Sequence, residues 1–234
     1  MSDDTRRAEI AHNLVEVQNR IAVATVLAGR EVPPQLVVVT KTFPATDIAI
    51  LAELGVRDIA ENRGQEARRK FEECSGLDLR WHMIGQVQRK KAASVLSWAD
   101  LIETVDRLEL ADSLHRAATT LDRTVDVLLQ VSLDEPFREG RGGCRPIDLE
   151  ALAHHAMSLD ALKVRGVMAV APFPGDPDQA FDRLAKMVHA LRDSVPGLEV
   201  VSAGMSGDLE AAIAHGATQV RIGGSILGAR PLVQ

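Results

Sequence analysis

The sequence predicts an α/β fold, a single (β/α)8 TIM barrel with an extra N-terminal helix. Short β-like runs number eight, they alternate with stretches of helical period, and no linker, internal repeat or low-complexity tract divides the 234 residues. A chain of this length suits one such barrel, so a single domain is expected over 1–234, with the helix of 1–29 packed on its outside.

From Asp3 to about Leu27, the apolar residues Ile10, Leu14, Val17, Ile21 and Ala24 recur at spacings of three and four, which is one stripe of an amphipathic helix. Gly29 is placed to end it, and Pro33-Pro34 bars its continuation. The first strand is expected at 36–40, and a helix from near Ala45 to Gly55 follows Pro44. Further strands are expected at Val56–Glu61, Arg80–Gly85, Leu101–Val105, Val125–Ser132, Leu162–Val170, Glu199–Met205 and Gln219–Gly223. Helices are expected between them, at about Gln65–Cys74, Gln88–Ser97, Arg107–Thr119, Ile147–Met157, Pro177–Ser194 and Gly207–His215.

Composition narrows the function. Hydrophobic residues are 46% and charged residues 26%, an ordinary globular balance, and the net charge of −6 argues against a general nucleic-acid or anionic-membrane surface while leaving room for a local anion site. MSDDTRRAEI lacks the apolar core of a signal peptide, and no run is long enough to span a bilayer. Cys74 and Cys144 lie far apart without a CxxC spacing, which suggests reduced thiols in a cytoplasm, and no pair of histidines at i, i+4 offers a metal a helical face. No metal is expected. The basic runs Arg68-Arg69-Lys70 and Arg89-Lys90-Lys91 read as solvated helix faces. A monomer is expected.

A barrel of this class does its chemistry where its strands end. Lys41 stands there, at the end of strand one within LVVVTKTFP and before a turn that closes at Pro44. A lysine on a rigid strand, partly desolvated, loses its charge more readily and can condense with an aldehyde; the same pattern also arises where a strand simply runs out into water. Glu61 and Asn62 follow strand two, His82 and Gly85 belong to strand three, and Thr104 and Asp106 close strand four. After strands seven and eight, Gly204, Ser206 and Gly207 face Gly223, Gly224 and Ser225. Small residues and hydroxyls there suit a phosphate held by backbone N–H groups, although glycines also serve to make turns. Arg221 shares a strand face with Gly223, so its guanidinium is expected inside the barrel, either paired with Glu61 or Asp106 or facing a ligand acceptor. EGRGGCR at 139–145 is expected to be a mobile loop, a partial lid over the active face.

Taken together, VVVTKTFP, ENRGQE (61–66), WHMIGQVQRKK (81–91), VRGVMAVAP (164–172) and SAGMSGDLEAAIAHGATQVRIGGSILGAR (202–230) resemble the pyridoxal phosphate homeostasis proteins, which share their barrel with the N-terminal domain of alanine racemases. The resemblance implies pyridoxal 5′-phosphate as cofactor, held as a Schiff base on Lys41. It implies phosphate contacts from Ser206 and the backbone around Gly223 and Gly224, with Met205 in the same loop, and Arg221 facing the pyridine nitrogen. Asn62 and His82 match positions near the cofactor and are expected to line the pocket. The chain departs from the family pattern at Arg63, where tyrosine is common, at Gln86 (proline) and at Lys90 (asparagine).

Two functions then compete, an amino-acid racemase and a non-catalytic carrier that buffers the cofactor for client enzymes. Racemization needs proton-transfer groups on both faces of the bound substrate, and in the related racemases the second is a tyrosine from the partner subunit. This chain has no tyrosine and is expected to carry no C-terminal β domain, so a carrier without turnover is expected. A phosphosugar barrel enzyme is a third reading, resting on the phosphate cup alone.

Overall fold

The computed structural model describes residues 3–229; what was expected of residues 1–2 and 230–234 lies outside the described residues. Eight parallel strands close a barrel in sequence order, β1 (Gln35–Val39), β2 (Asp58–Glu61), β3 (Arg80–Met83), β4 (Leu101–Val105), β5 (Val125–Gln130), β6 (Leu162–Met168), β7 (Val200–Ser202) and β8 (Gln219–Ile222). β8 returns to pair with β1, with Arg221 opposite Val37. The helices are α1 (Asp3–Leu27), α2 (Ala45–Glu53), α3 (Gly64–Glu73), α4 (Ala92–Leu96), α5 (Leu108–Thr120), α6 (Leu149–Met157), α7 (Pro177–Ser194), α8 (Leu209–Ala214) and α9 (Gly224–Leu227).

Several strands stop short of their expected ends, and the shortfall builds the mouth. The ladder beyond β7 continues through the Ala203 amide, which donates to the Gln219 carbonyl at 3.0 Å, and the Gly204 carbonyl, which accepts from the Arg221 amide at 2.9 Å; Gly204 turns the chain there at φ 95°. A side chain at Gly204 would also bring Cβ within 2.7 Å of Ala212 Cβ, so glycine is required there twice over. Gly223 likewise leaves β8 to open α9, a short helix not among those expected from sequence.

The main apolar core lies between the barrel wall and the helices. Among the described residues, two small apolar groups lie inside the barrel, Val37, Val39 and Ala60 toward one side and Leu101, Leu128 and Met168 toward the other, and buried polar side chains lie between them.

α1 packs as its stripe requires. Ile10, Leu14, Val17, Ile21 and Ala24 are all buried, each large side chain contributing about 1.5–3 kcal/mol at most. Its polar residues fasten the strand-end segments below it. Asn13 Nδ2 donates to the Ile226 carbonyl at 3.0 Å and an Arg6 guanidinium N–H to the Leu227 carbonyl at 3.0 Å, which satisfies two carbonyls at the end of α9. Arg20 donates to the Ser206 carbonyl at 3.0 Å while pairing with Glu210. The N-terminal helix therefore braces both glycine-containing segments at the mouth.

Candidate functional site

At the carboxyl end of the barrel, a cavity of about 310 Å³ is lined by Lys41, Met205, Ser206, Gly207, Arg221, Gly223 and Gly224, with Val39, Phe43 and Ile84 as apolar wall. Six of the eight site residues expected from sequence meet here. Period-two alternation explains Lys41, because Val37 and Val39 face the interior and Lys41 continues that row. The chain then turns sharply: Thr42 takes φ 71°, and the Phe43 amide closes the turn on the Thr40 carbonyl at 3.1 Å.

Opposite Lys41, the segment after β7 spends the Met205 amide on Asp208 Oδ1 at 2.6 Å, which leaves the Ser206 and Gly207 amides and the Ser206 hydroxyl as its donors. A Cβ on Gly223 would stand 3.0 Å from the Val39 carbonyl oxygen, whereas the space beside Gly207 and Gly224 is open. Absent side chains thus leave a cradle where backbone can approach a ligand.

Arg221 is buried beneath this cradle. Its guanidinium donates to Ser202 Oγ at 2.6 Å and to the Ala169 carbonyl at 2.9 Å, and it stands 3.9 Å from Glu103 Oε2. The expected ion pair with Glu61 or Asp106 is not the one formed; Glu103, on β4, takes that place, because period two turns it inward with Leu101 while Glu61 points outward to α3. Glu103 is the hub of a buried network. It accepts from Ser202 Oγ at 2.6 Å and Gln219 Nε2 at 2.8 Å, and meets His82 Nδ1 at 2.7 Å, while His82 Nε2 meets Asp58 at 3.0 Å.

The charges are mutually supported. Burial pushes the Glu103 carboxyl up, but His82, Arg221 and Ser202 outweigh it and hold the group below the usual carboxylate range. Burial alone would lower the His82 imidazole, yet Asp58 and Glu103 together raise it. Burial lowers Arg221, opposed by Glu103 and Asp208.

Two expected pocket residues sit elsewhere. His82 is fully buried in this network below the cavity, and Asn62 lines a separate groove with Arg63, Gln86 and Lys91. Neither is among the residues lining the cavity beside Lys41. His82 lies inside β3, in register with Ala60 and Leu101, whereas Asn62 follows the end of β2.

Lys70 also departs from its expected solvated face. It is 2% exposed, and its ammonium donates to Glu61 Oε1 and Glu66 Oε1, both at 2.7 Å, and to the Thr40 carbonyl at 2.9 Å. Arg68 and Arg69 do reach solvent, each paired four residues on with Glu72 or Glu73. Burial raises Glu61 against the pull of Lys70 and Thr40. Burial also pushes Glu66 upward, but Lys70 and the Thr42 amide prevail and hold it low.

The 139–145 loop is fastened rather than detached. Arg141 pairs with buried Asp134 at 2.9 Å, Cys144 exchanges backbone bonds with the end of β5, and a Cβ on Gly143 would stand 2.6 Å from the Ser132 nitrogen. Among the described residues, no helix is long and apolar enough to cross a membrane.

Comparison with known proteins agrees with this architecture. The family model described as alanine racemase, N-terminal domain, matches residues 6–231. A pyridoxal phosphate homeostasis protein of Mycobacterium tuberculosis (H37Rv) is 38% identical over 245 residues, covering 97% of this chain and 95% of the relative. That of Escherichia coli K12 is 35% identical over 230 residues, covering 95% and 97%. PipY of Synechococcus elongatus, solved with PLP bound, superposes with a TM-score of 0.81 at 32% identity over 94% of this chain and 100% of PipY. An alanine racemase of Clostridium difficile 630, at 15% identity, shares the fold with a TM-score of 0.77 over 96% of this chain and 57% of its own. By its sequence and its barrel, the chain belongs to the alanine racemase N-terminal domain family and, within it, to the pyridoxal phosphate homeostasis proteins.

Proposed function

We propose that this protein holds pyridoxal 5′-phosphate reversibly, with Lys41 as its covalent tether, and buffers or hands on the cofactor without turning over a substrate. One observation carries the reading: Lys41 and the cradle of Ser206, Gly207, Gly223 and Gly224 face the same cavity of about 310 Å³. That volume is at the lower end of small-molecule sites, about 300–1,000 Å³. When bound, the cofactor supplies an aldehyde that a lysine amine attacks.

The residues present fit that group. Lys41 offers the amine, Ser206 and the open backbone beside Gly207 and Gly224 offer donors for a phosphate, and Met205 closes one wall. Arg221 spends two of its donors on Ser202 and Ala169; as a donor-only group it would hold a ring nitrogen unprotonated and keep the cofactor a weak electron sink. His82 acts at a distance, supporting Glu103 under Arg221.

The absence of turnover is supported by what faces Lys41. Among the described residues lining the cavity there is no carboxylate, imidazole or thiol, Arg221 does not exchange its proton near neutral pH, and the chain has no tyrosine. We place the protein in the cytoplasm as a monomer serving client enzymes, where the free buried thiols of Cys74 and Cys144 remain reduced.

Titration with pyridoxal phosphate tests the reading. The protein should gain visible absorbance with one equivalent, lose that response in Lys41→Ala, and leave L- and D-alanine unchanged. Racemization of alanine abolished by Lys41→Ala would replace the carrier with a racemase.

A further inference from the structure

The cluster of Lys70, Glu66 and Glu61 lies outside the cavity, yet it holds both peptide groups that flank Lys41. On one side, the Lys70 ammonium donates to the Thr40 carbonyl at 2.9 Å, and Thr40 Oγ1 donates to Glu61 at 2.7 Å. On the other, the Thr42 amide donates to Glu66 Oε1 at 2.7 Å, while Lys70 bonds the same oxygen at 2.7 Å. Residues 66 and 70 are one helical turn apart on α3, so a rigid helix presents a donor and an acceptor to the two peptides as a unit. Thr42 sits at φ 71°, a conformation that a β-branched residue adopts only when its surroundings impose it.

We propose that the Glu66–Lys70 pair is a positioning clamp that aims Lys41 at the cavity, so that its amine meets the aldehyde of an incoming cofactor in an attacking geometry. The inference rests on Lys41 being the covalent tether. Glu61 anchors the clamp from β2, and the burial of Glu61 and Lys70 keeps water from competing for the bond to the Thr40 carbonyl.

The test separates aim from fold. Glu66→Ala and Lys70→Met should keep the far-ultraviolet circular dichroism of the barrel, and hydrogen exchange should quicken in the peptide covering 40–43. Covalent capture of pyridoxal phosphate, followed by stopped-flow absorbance, should slow by about tenfold or more, as misaligned reacting groups do. Affinity for pyridoxine 5′-phosphate, which carries an alcohol in place of the aldehyde, should stay close to wild type. Glu66→Gln, which retains an oxygen for the Thr42 amide, should recover most of the capture rate. Folded variants that capture as fast as wild type would overturn the clamp, and so would an equal loss of both ligands. If wild type itself forms no bond through Lys41, the tether reading has failed and the positioning role falls with it.

Discussion

Glu103→Gln is the perturbation that most directly probes how Arg221 is held. Glu103 is fully buried and accepts from Ser202, Gln219 and His82, with Arg221 at 3.9 Å. A glutamine keeps the shape but removes the charge and places an amide N–H among donors. His82 would then retain only Asp58, and Arg221 would lose its carboxylate inside the barrel. Removing one member of a buried ion pair costs about 3–5 kcal/mol. For a domain of this size, about 2–4 °C per kcal/mol makes the expected fall in Tm roughly 6–20 °C. Urea denaturation of wild type and variant measures the loss, and equal m-values would show that the unfolded states match. The double variant His82→Gln/Glu103→Gln should lose less than the sum of the two single variants, since the contact between the two side chains is then counted once. A loss below about 1 kcal/mol for Glu103→Gln, the scale of an exposed pair, would refute the reasoning.

Other outcomes follow from the same geometry. Because neighbouring carboxylates raise the folded His82 above its ordinary 6.5, its contribution to stability is fully present below that value and is lost as pH rises through the raised one. Stability profiles should show this falling limb in wild type and not in His82→Gln; identical limbs would remove His82 as the cause. Gly223→Val, whose Cβ would stand 3.0 Å from the Val39 carbonyl, should weaken pyridoxal phosphate binding by about tenfold or more, about 1.4 kcal/mol, in an equilibrium titration with the barrel intact. Arg20→Ala breaks an exposed pair worth about 0–1 kcal/mol, so Tm should barely move, but loss of its bond to the Ser206 carbonyl should speed cofactor release in a competition assay.

The fold was legible because its signals are local and repeated. The α1 stripe has five members, all buried, and the expected and observed bounds of β4 and α7 coincide. Strand ends were less legible: residues such as Met205 and Gly223 are apolar or small enough to continue a strand, and only the closure of the mouth decides that they leave it. Within the site, the row Val37, Val39, Lys41 and the paired glycine segments were readable from period and composition. Lys70 was not, since Glu66 and Lys70 at i, i+4 look like an ordinary surface pair until α3 docks against β2. Glu103 did leave a signal, a carboxylate in the middle of LIETV, whose strand is buried along its whole length. Such a charge requires a partner, and two-residue alternation places it on the inward face shared with Arg221.

Borohydride reduction of the protein loaded with pyridoxal phosphate, followed by peptide mass spectrometry, tests the central claim most directly. One stoichiometric reduced adduct is expected on Lys41, with none on buried Lys70 and only trace labelling at exposed sites such as Lys90 and Lys91. A principal adduct on any other lysine, or labelling spread evenly over the surface, would contradict it.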